Sequence, residues 1–395
     1  MRVLLTTYGT RGDVEPLVAL AVELRALGAD VRMCTPPDEE FTDRLDGLGI
    51  EAVPAGPPVR ALMRGTAPPT AAELTRYRAE LLETQFDVLP AAVAGCDALV
   101  AAGLAQVAAR SVAEAAGIRY VYATYAAVNL PSPHHAPPPR PGWPEPSEAD
   151  NAARWELDAR RVNAQFREPL NAHRAALGLP PVDNVRDHVC SERPWLAADP
   201  VLGAAPPGLE VVQTGAWTLP DERPLPDELT AFLAAGPPPV YVGFGSITPA
   251  PDIARWSVEV ARARGHRVLV SRGWAELAVA GCFAVGEVNH QRLFGELAAV
   301  VHHGGAGTTQ TAARAGVPQV VVPIRLADNP YWAGQVAAHR VGAALDGPAA
   351  TPESLAAAFD TALASGTRAR AKALGAQVRT DGAKAAARRL LGELR

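Results

Sequence analysis

Residues 300–316 read VVHHGGAGTTQTAARAG. The valines close an apolar run (AAVVH, 298–302) with the composition of a buried strand. Gly304, Gly305 and Gly307 then form a turn, and Thr308 and Thr309 lead into an alanine-rich helix read over 305–316. A helix N-terminus presents unpaired N–H groups and the positive end of a dipole, which together attract anions. Glycines keep side chains out of the way and threonine hydroxyls add donors, so the turn suits a diphosphate. The competing reading is a plain strand–helix turn whose glycines serve tight packing; the combined glycine, histidine and threonine cluster favours the anion site.

The usual owners of such a turn are missing. No GxGxxG follows a strand, and no GxxxxGK[ST] occurs. Lysine appears only at Lys372 and Lys384, so the first 371 residues offer none for a phosphate loop or a Schiff base. No Asp-x-Asp pair is present to hold a divalent metal, and the adjacent pairs His134–His135 and His302–His303 point apart on extended backbone. A bound pyrophosphate must then be neutralised by protein dipoles and His303. No metal and no cofactor is expected.

Outward from this turn, strands and helices alternate. Strands are expected at 3–8, 31–35, 51–54, 97–102 and 119–123, with helices at 14–27, 71–95 and 103–116. A proline-dense run, PSPHHAPPPRPGWPEP (131–146), breaks the pattern as an extended loop, and a helix follows over 150–177. After a second Pro/Gly-rich segment (204–226) the alternation restarts with strands at 239–243, 267–270, 282–286, 298–302 and 318–323 and helices at 252–264 and 352–364. The fold class is α/β, two parallel-sheet units joined by a hinge. The boundaries are 1–205 for the first domain, 206–226 for the linker, 227–366 for the second domain and 367–395 for a C-terminal helix.

Composition narrows the partners. The 395 residues carry a formal charge of −5, against a nucleic-acid or anionic-membrane partner. No apolar run approaches a membrane span, and Arg11 and Asp13 interrupt the N-terminal one before a signal peptide can form. Cys34, Cys96, Cys190 and Cys282 lie far apart, as expected in a reducing cytoplasm.

Three further motifs bear on chemistry. GFGSIT (243–248) is a second glycine turn whose Ser246 can donate to phosphate. SRGWAEL (271–277) sets Trp274 after a strand, where it stacks on a base or fills the core. PIRLADNPYWAGQ (323–335) sets Asp328 and Asn329 before a helix, facing sugar hydroxyls or capping the helix. Asp13 has an ordinary reading too, as N-cap of the helix 14–27.

Taken together, GFGS, RGW, GEVNHQ (286–291), HHGGAGTT and ADNPYWA resemble the donor half of family 1 glycosyltransferases of the GT-B fold, two Rossmann-like domains around a cleft. MRVLLTTYGTRGDVEPLVALA (1–21), LGLPPVDN (177–184), PWLAADPVL (194–202) and QTGAWTLPDERPL (213–225) resemble the vancomycin-group subfamily in particular. The resemblance implies an inverting, metal-independent transfer of sugar from a TDP or UDP donor to a natural-product aglycone, a glycopeptide first. An aromatic polyketide acceptor or a same-fold nucleotide-sugar epimerase are the alternatives. It implies donor-diphosphate contacts from Thr10, Arg11, Gly12, Ser246, His303, Gly304, Gly305, Ala306, Gly307 and Thr308, and base contacts from Trp274 and Val288. It further implies sugar contacts from Asp328 and Asn329, where the family more often has glutamine, one methylene longer. Asp13 becomes the general base, the loop with His134 and His135 an acceptor lid, and the C-terminal helix packs back on the N-terminal domain.

Overall fold

The computed structural model describes residues 1–63, 70–140, 142–144, 147, 150–247 and 251–394. Thr248 of the second glycine turn and Pro141, Glu145 and Pro146 of the proline-rich loop lie outside the described residues. The chain forms two units. The first combines Met1–Ala198, Ala204–Leu219 and Thr380–Arg395; the second combines Asp199–Gly203 and Pro220–Arg379.

The first unit holds β1 (Arg2–Thr7), β2 (Asp30–Thr35), β3 (Glu51–Pro54), β4 (Ala98–Ala102), β5 (Arg119–Thr124), β6 (Trp195–Leu196) and β7 (Val212–Gln213). They form one sheet in the order β3-β2-β1-β4-β5-β6-β7, every pairing parallel. The second unit holds β8 (Val240–Val242), β9 (Val268–Ser271), β10 (Phe283–Val285), β11 (Ala299–His302), β12 (Gln319–Val321) and β13 (Gly342–Ala344), ordered β10-β9-β8-β11-β12-β13 and again parallel. Parallel strands are covered on both faces, and the central ones accordingly read as unbroken apolar runs such as Val3–Leu5 and Val240–Val242, all buried.

Each sheet has one point where the strand order reverses, between β1 and β4 in the first and between β8 and β11 in the second. Loops leaving the carboxyl ends of two such strands diverge and leave a crevice, the usual ligand site of open α/β sheets. Residues 8–13 and 103–108 occupy that position in the first unit, and 243–247 and 303–305 in the second.

Several expectations are corrected. The first helix runs Arg11–Ala26 rather than 14–27, because Thr10 and not Asp13 is its N-cap. Its stripe Leu17, Leu20, Ala21 and Leu24 is fully buried, as the spacing requires. The helix expected at 103–116 is only Ala109–Ala116, since Gly103 adopts φ +87 and starts a loop. The segment 206–226 is not wholly a linker: Val212–Gln213 pairs with β6, and the chain passes to the second unit after Leu219. The tail divides as well. The helix Ser365–Gly375 stays in the second unit against Ala306–Arg314, where Gly316 and Gly375 allow close backbone approach. Only the helix Gly382–Glu393 joins the first unit, packing Ala383, Ala386, Ala387 and Leu390 toward the Arg11–Ala26 helix.

Candidate active site

In the second unit β11 ends at His302, a fully buried ring. Its Nδ1 accepts the Gly304 N–H at 3.1 Å, and its Nε2 lies 2.9 Å from Gln319 Oε1. An amide oxygen only accepts, so Nε2 carries the single proton. Gln319 Nε2 donates to the Thr309 carbonyl at 3.3 Å, and Thr309 Oγ1 donates to the Gly305 carbonyl at 2.9 Å. This chain of bonds fixes both ends of the glycine turn. The helix Ala306–Arg314 begins with Gly305 as N-cap, without a side-chain cap bond. The N–H groups of its first turn precede any intrahelical carbonyl and point toward the crevice end of the sheet.

His303 lies across the turn. Its Nε2 would meet a Cβ on Gly305 at 2.6 Å, and its Cε1 a Cβ on Gly245 at 3.6 Å. Its Nδ1 is enclosed without a hydrogen-bond partner. Burial pushes its pKa down to about 4. At that value the ring is neutral near pH ~7 and offers an N–H beside the positive end of the helix dipole.

Burial likewise pushes His302 down to about 3, with His303 adding a smaller effect. His188, beside Ser111 Oγ at 3.2 Å, falls to about 4 for the same reason. An unfolded imidazole takes up its proton near pH ~6.5. Between that value and about 4 the unfolded chain therefore binds more protons, so stability falls as pH is lowered through the window. The melting temperature should be level above pH ~7 and decline steadily toward pH ~4.5. A thermal scan at fixed ionic strength checks this; a level curve through that interval contradicts the burial argument.

The other residues singled out in the second half of the sequence gather here. The Gly245 carbonyl accepts the Trp274 N–H at 2.9 Å, and Gly273 packs so close that a Cβ would stand 2.4 Å from that oxygen. The turns carrying half-buried Ser246 and Trp274 are thus one piece with the His303 turn. Trp274 is 8% exposed, so only a margin of its indole reaches solvent. Val288 is buried among Leu293 and Phe294, which leaves its backbone as the part a ligand can meet. A Cβ on Gly304 would stand 2.8 Å from the Asn329 carbonyl, tying Asn329 to the same turn. Asp328 does not cap its helix through its side chain; its Oδ2 instead accepts the Trp332 indole N–H at 2.9 Å. Burial raises its pKa, opposed by that bond, and Ala327 before it holds a left-handed φ of +49.

In the first unit Asp13 stands three residues after the cap. Its Oδ2 accepts the Thr10 N–H at 2.8 Å, the carboxylate half of a capping box. The ordinary reading of Asp13 as N-cap is corrected to this reciprocal role. The carboxylate lies over Gly9, where a Cβ would come within 2.1 Å, and its Oδ1 is 4.0 Å from a Cβ placed on Gly103. Tyr125 Oη donates to the Asp13 carbonyl at 2.9 Å. Gly9, Gly103 and Tyr125 were not singled out from the sequence; a glycine within two residues of the end of each strand flanking the reversal point was the available signal. Arg11 and Gly12 occupy the first turn of this helix.

The proline-rich loop is anchored rather than loose over its described part. Asn151 Nδ2 donates to Pro133 O, Trp155 Nε1 to His135 O, and Arg140 forms two bonds of 2.7 and 2.9 Å with buried Asp158. His134 is exposed, whereas His135 packs edge-on to Trp155 and burial lowers its pKa. Among the described residues no group of three or more His, Cys, Asp or Glu could hold a metal ion, and no helix is long and apolar enough to cross a membrane.

Two family models match the chain. Residues 3–131 match the glycosyltransferase family 28 N-terminal domain, and 280–387 the C-terminal domain of erythromycin biosynthesis protein CIII-like proteins. The vancomycin aglycone glucosyltransferase of Amycolatopsis orientalis is 53% identical over 99% of this chain and 97% of its own length. The dTDP-epi-vancosaminyltransferase of the same organism is 50% identical over 94% and 92%. Among solved structures, the glycotransferase of kitacinnamycin superimposes with a TM-score of 0.74 over 100% of this chain and 98% of that one, at 19% identity, a likeness of fold. The chain belongs to the vancomycin-group glycosyltransferases of the GT-B fold.

Proposed function

We propose that the chain is an inverting, metal-independent glycosyltransferase that moves a hexose-type sugar from a TDP or UDP donor to a hydroxyl of a glycopeptide aglycone in the cytoplasm. The observation that carries the reading is the pairing of chemistries at the two strand-order reversals: a glycine-lined helix N-terminus after β11 and a carboxylate after β1. The names of the two relatives above support the substrate classes.

In this reading the amides of Gly305 to Thr308, the Ser246 hydroxyl and the His303 N–H hold the donor diphosphate, with Gly304 shaping the turn through its bond to His302 and Thr10, Arg11 and Gly12 completing the surroundings. The Trp274 margin and the Val288 backbone take the base, and Asp328 and Asn329 the sugar. Asp13 removes the proton of the acceptor hydroxyl as that oxygen bonds to the anomeric carbon. The bond from that carbon to the phosphate oxygen breaks on the opposite face, and the electron pair leaves with the nucleoside diphosphate. The helix N-terminus stabilises the charge growing there, a contribution of about 10²–10³-fold per well-placed donor. His134 and His135 lie in the loop proposed to border the acceptor.

The test is incubation with an α-linked TDP-hexose and a glycopeptide aglycone, with and without EDTA. A product heavier by one sugar, β-linked by its anomeric coupling, formed equally in EDTA, is expected. An α-linked product overturns inversion, and loss of activity in EDTA overturns metal independence.

A further inference from the structure

The helix Asn329–Ala338 starts in an unusual way. Asp328 is its N-cap, and an aspartate there ordinarily accepts an N–H of the first turn. No such bond is made. Oδ2 accepts the indole N–H of Trp332 at 2.9 Å instead, one turn along the same helix. Trp332 is fully buried and sits edge-on to Tyr331 at 5.1 Å, so the indole has little room to turn.

Three features of this corner run against stability. The side-chain cap is given up. Ala327, directly before it, holds a left-handed φ of +49, which is costly for a residue with a Cβ. The half-buried carboxylate is met only by neutral donors, the Trp332 indole and its own backbone N–H, with no cation set against it among the described residues. Local rules broken together at one residue are the mark of a functional position.

Placement identifies the ligand. β12 lies beside β11 in the sheet, so the loop 322–328 leaves the same carboxyl end as the glycine turn 303–305. The Asn329 carbonyl packs against that turn, 2.8 Å from where a Cβ on Gly304 would stand. A carboxylate with one oxygen held by an N–H can accept from hydroxyls through the other, and a sugar carried on a diphosphate presents hydroxyls. Resting on the glycosyltransferase reading, in which Asp328 meets the sugar, we propose that Trp332 is a positioning residue for the donor: its indole N–H turns the Asp328 carboxylate off the helix end, so that Oδ1 accepts from sugar hydroxyls.

The probes are TDP-glucose and TDP, titrated by calorimetry into the full chain and its variants. Trp332→Phe keeps a ring in the core and removes the donor N–H. It should weaken TDP-glucose about tenfold and leave TDP within about twofold, because TDP has no sugar to meet Asp328. In turnover the same variant should raise donor KM about tenfold with kcat little changed. Asp328→Ala should itself weaken TDP-glucose, and adding Trp332→Phe to it should cause no further loss, since the indole acts through the carboxylate. Equal weakening of both nucleotides, a sugar-selective loss that persists in the Asp328→Ala background, or the absence of a sugar-selective loss overturns the proposal. Should Trp332→Phe melt too low to assay, the Trp332 indole N–H signal of the parent chain decides by NMR, assigned by its displacement in Asp328→Ala. TDP-glucose should move it and TDP should not; the same response to both overturns the proposal. If no sugar is transferred to any aglycone, the glycosyltransferase reading fails while the two nucleotide affinities still decide the role of Trp332.

Discussion

Asp13→Asn is expected to lower turnover by about 10²–10⁴-fold, the span for losing a positioned general base, with nucleoside-diphosphate affinity unchanged. The substitution separates the proposed base from the helix-capping bond. Oδ2 accepts the Thr10 N–H at 2.8 Å and so helps start the Arg11–Ala26 helix. An asparagine oxygen accepts the same bond in the same place, so the helix start and the packing over Gly9 are kept. What disappears is the ability to take a proton near neutral pH. Asp13→Ala loses both and should also cost about 1 kcal/mol of stability, the usual worth of a helix cap. Single-turnover rates with the asparagine variant, beside its melting temperature, decide the matter. Near-normal turnover in a normally folded Asp13→Asn leaves the residue as a cap alone.

The second large effect is expected at the glycine turn. Gly304 holds φ +88, and a Cβ there would stand 2.8 Å from the Asn329 carbonyl and 3.0 Å from Val321 Cγ1. The first obstacle is backbone, so Gly304→Ala must shift either the turn or the start of the Asn329–Ala338 helix. It should cost about 1–3 kcal/mol and, by moving the amides after His303, weaken nucleoside-diphosphate binding about 100-fold. Gly307→Ala is the informative companion. A Cβ at Gly307 meets nothing within 4 Å, and alanine is the better helix former by about 1 kcal/mol. That variant should melt no lower than the parent and still bind the diphosphate about tenfold more weakly, because the methyl stands where the phosphate oxygens would approach. Calorimetry with TDP and a thermal scan on each variant test the pair. A Gly307→Ala protein with unaltered TDP affinity removes the ligand from this turn.

The parallel sheets were legible because buried parallel strands carry unbroken apolar runs, and 3–8, 298–302 and 318–323 all lie on elements of the two sheets. The short strands Trp195–Leu196, Val212–Gln213 and Gly342–Ala344 were not, since two or three residues give no periodicity and pairing comes from tertiary contact. At the site, the glycine turns could be read from composition. The neutral state of His303 could not, because a sequence names an imidazole without telling how deeply its nitrogen is enclosed. The cap of the first helix shows the same limit on a smaller scale: Thr10 and Asp13 both satisfy capping preferences, and only the backbone angles choose between them.

The way the chain shuttles between units constrains how it can be recombined. The first unit is assembled from three separate stretches, and its last, Thr380–Arg395, supplies the helix that lies on Arg11–Ala26. A fragment cut after Leu219 would leave an oily flank of that helix wetted, and hybrids spliced at one junction would inherit a mismatched cover. Grafting a new first unit onto this second unit calls for exchanging the closing sixteen residues together with the opening portion.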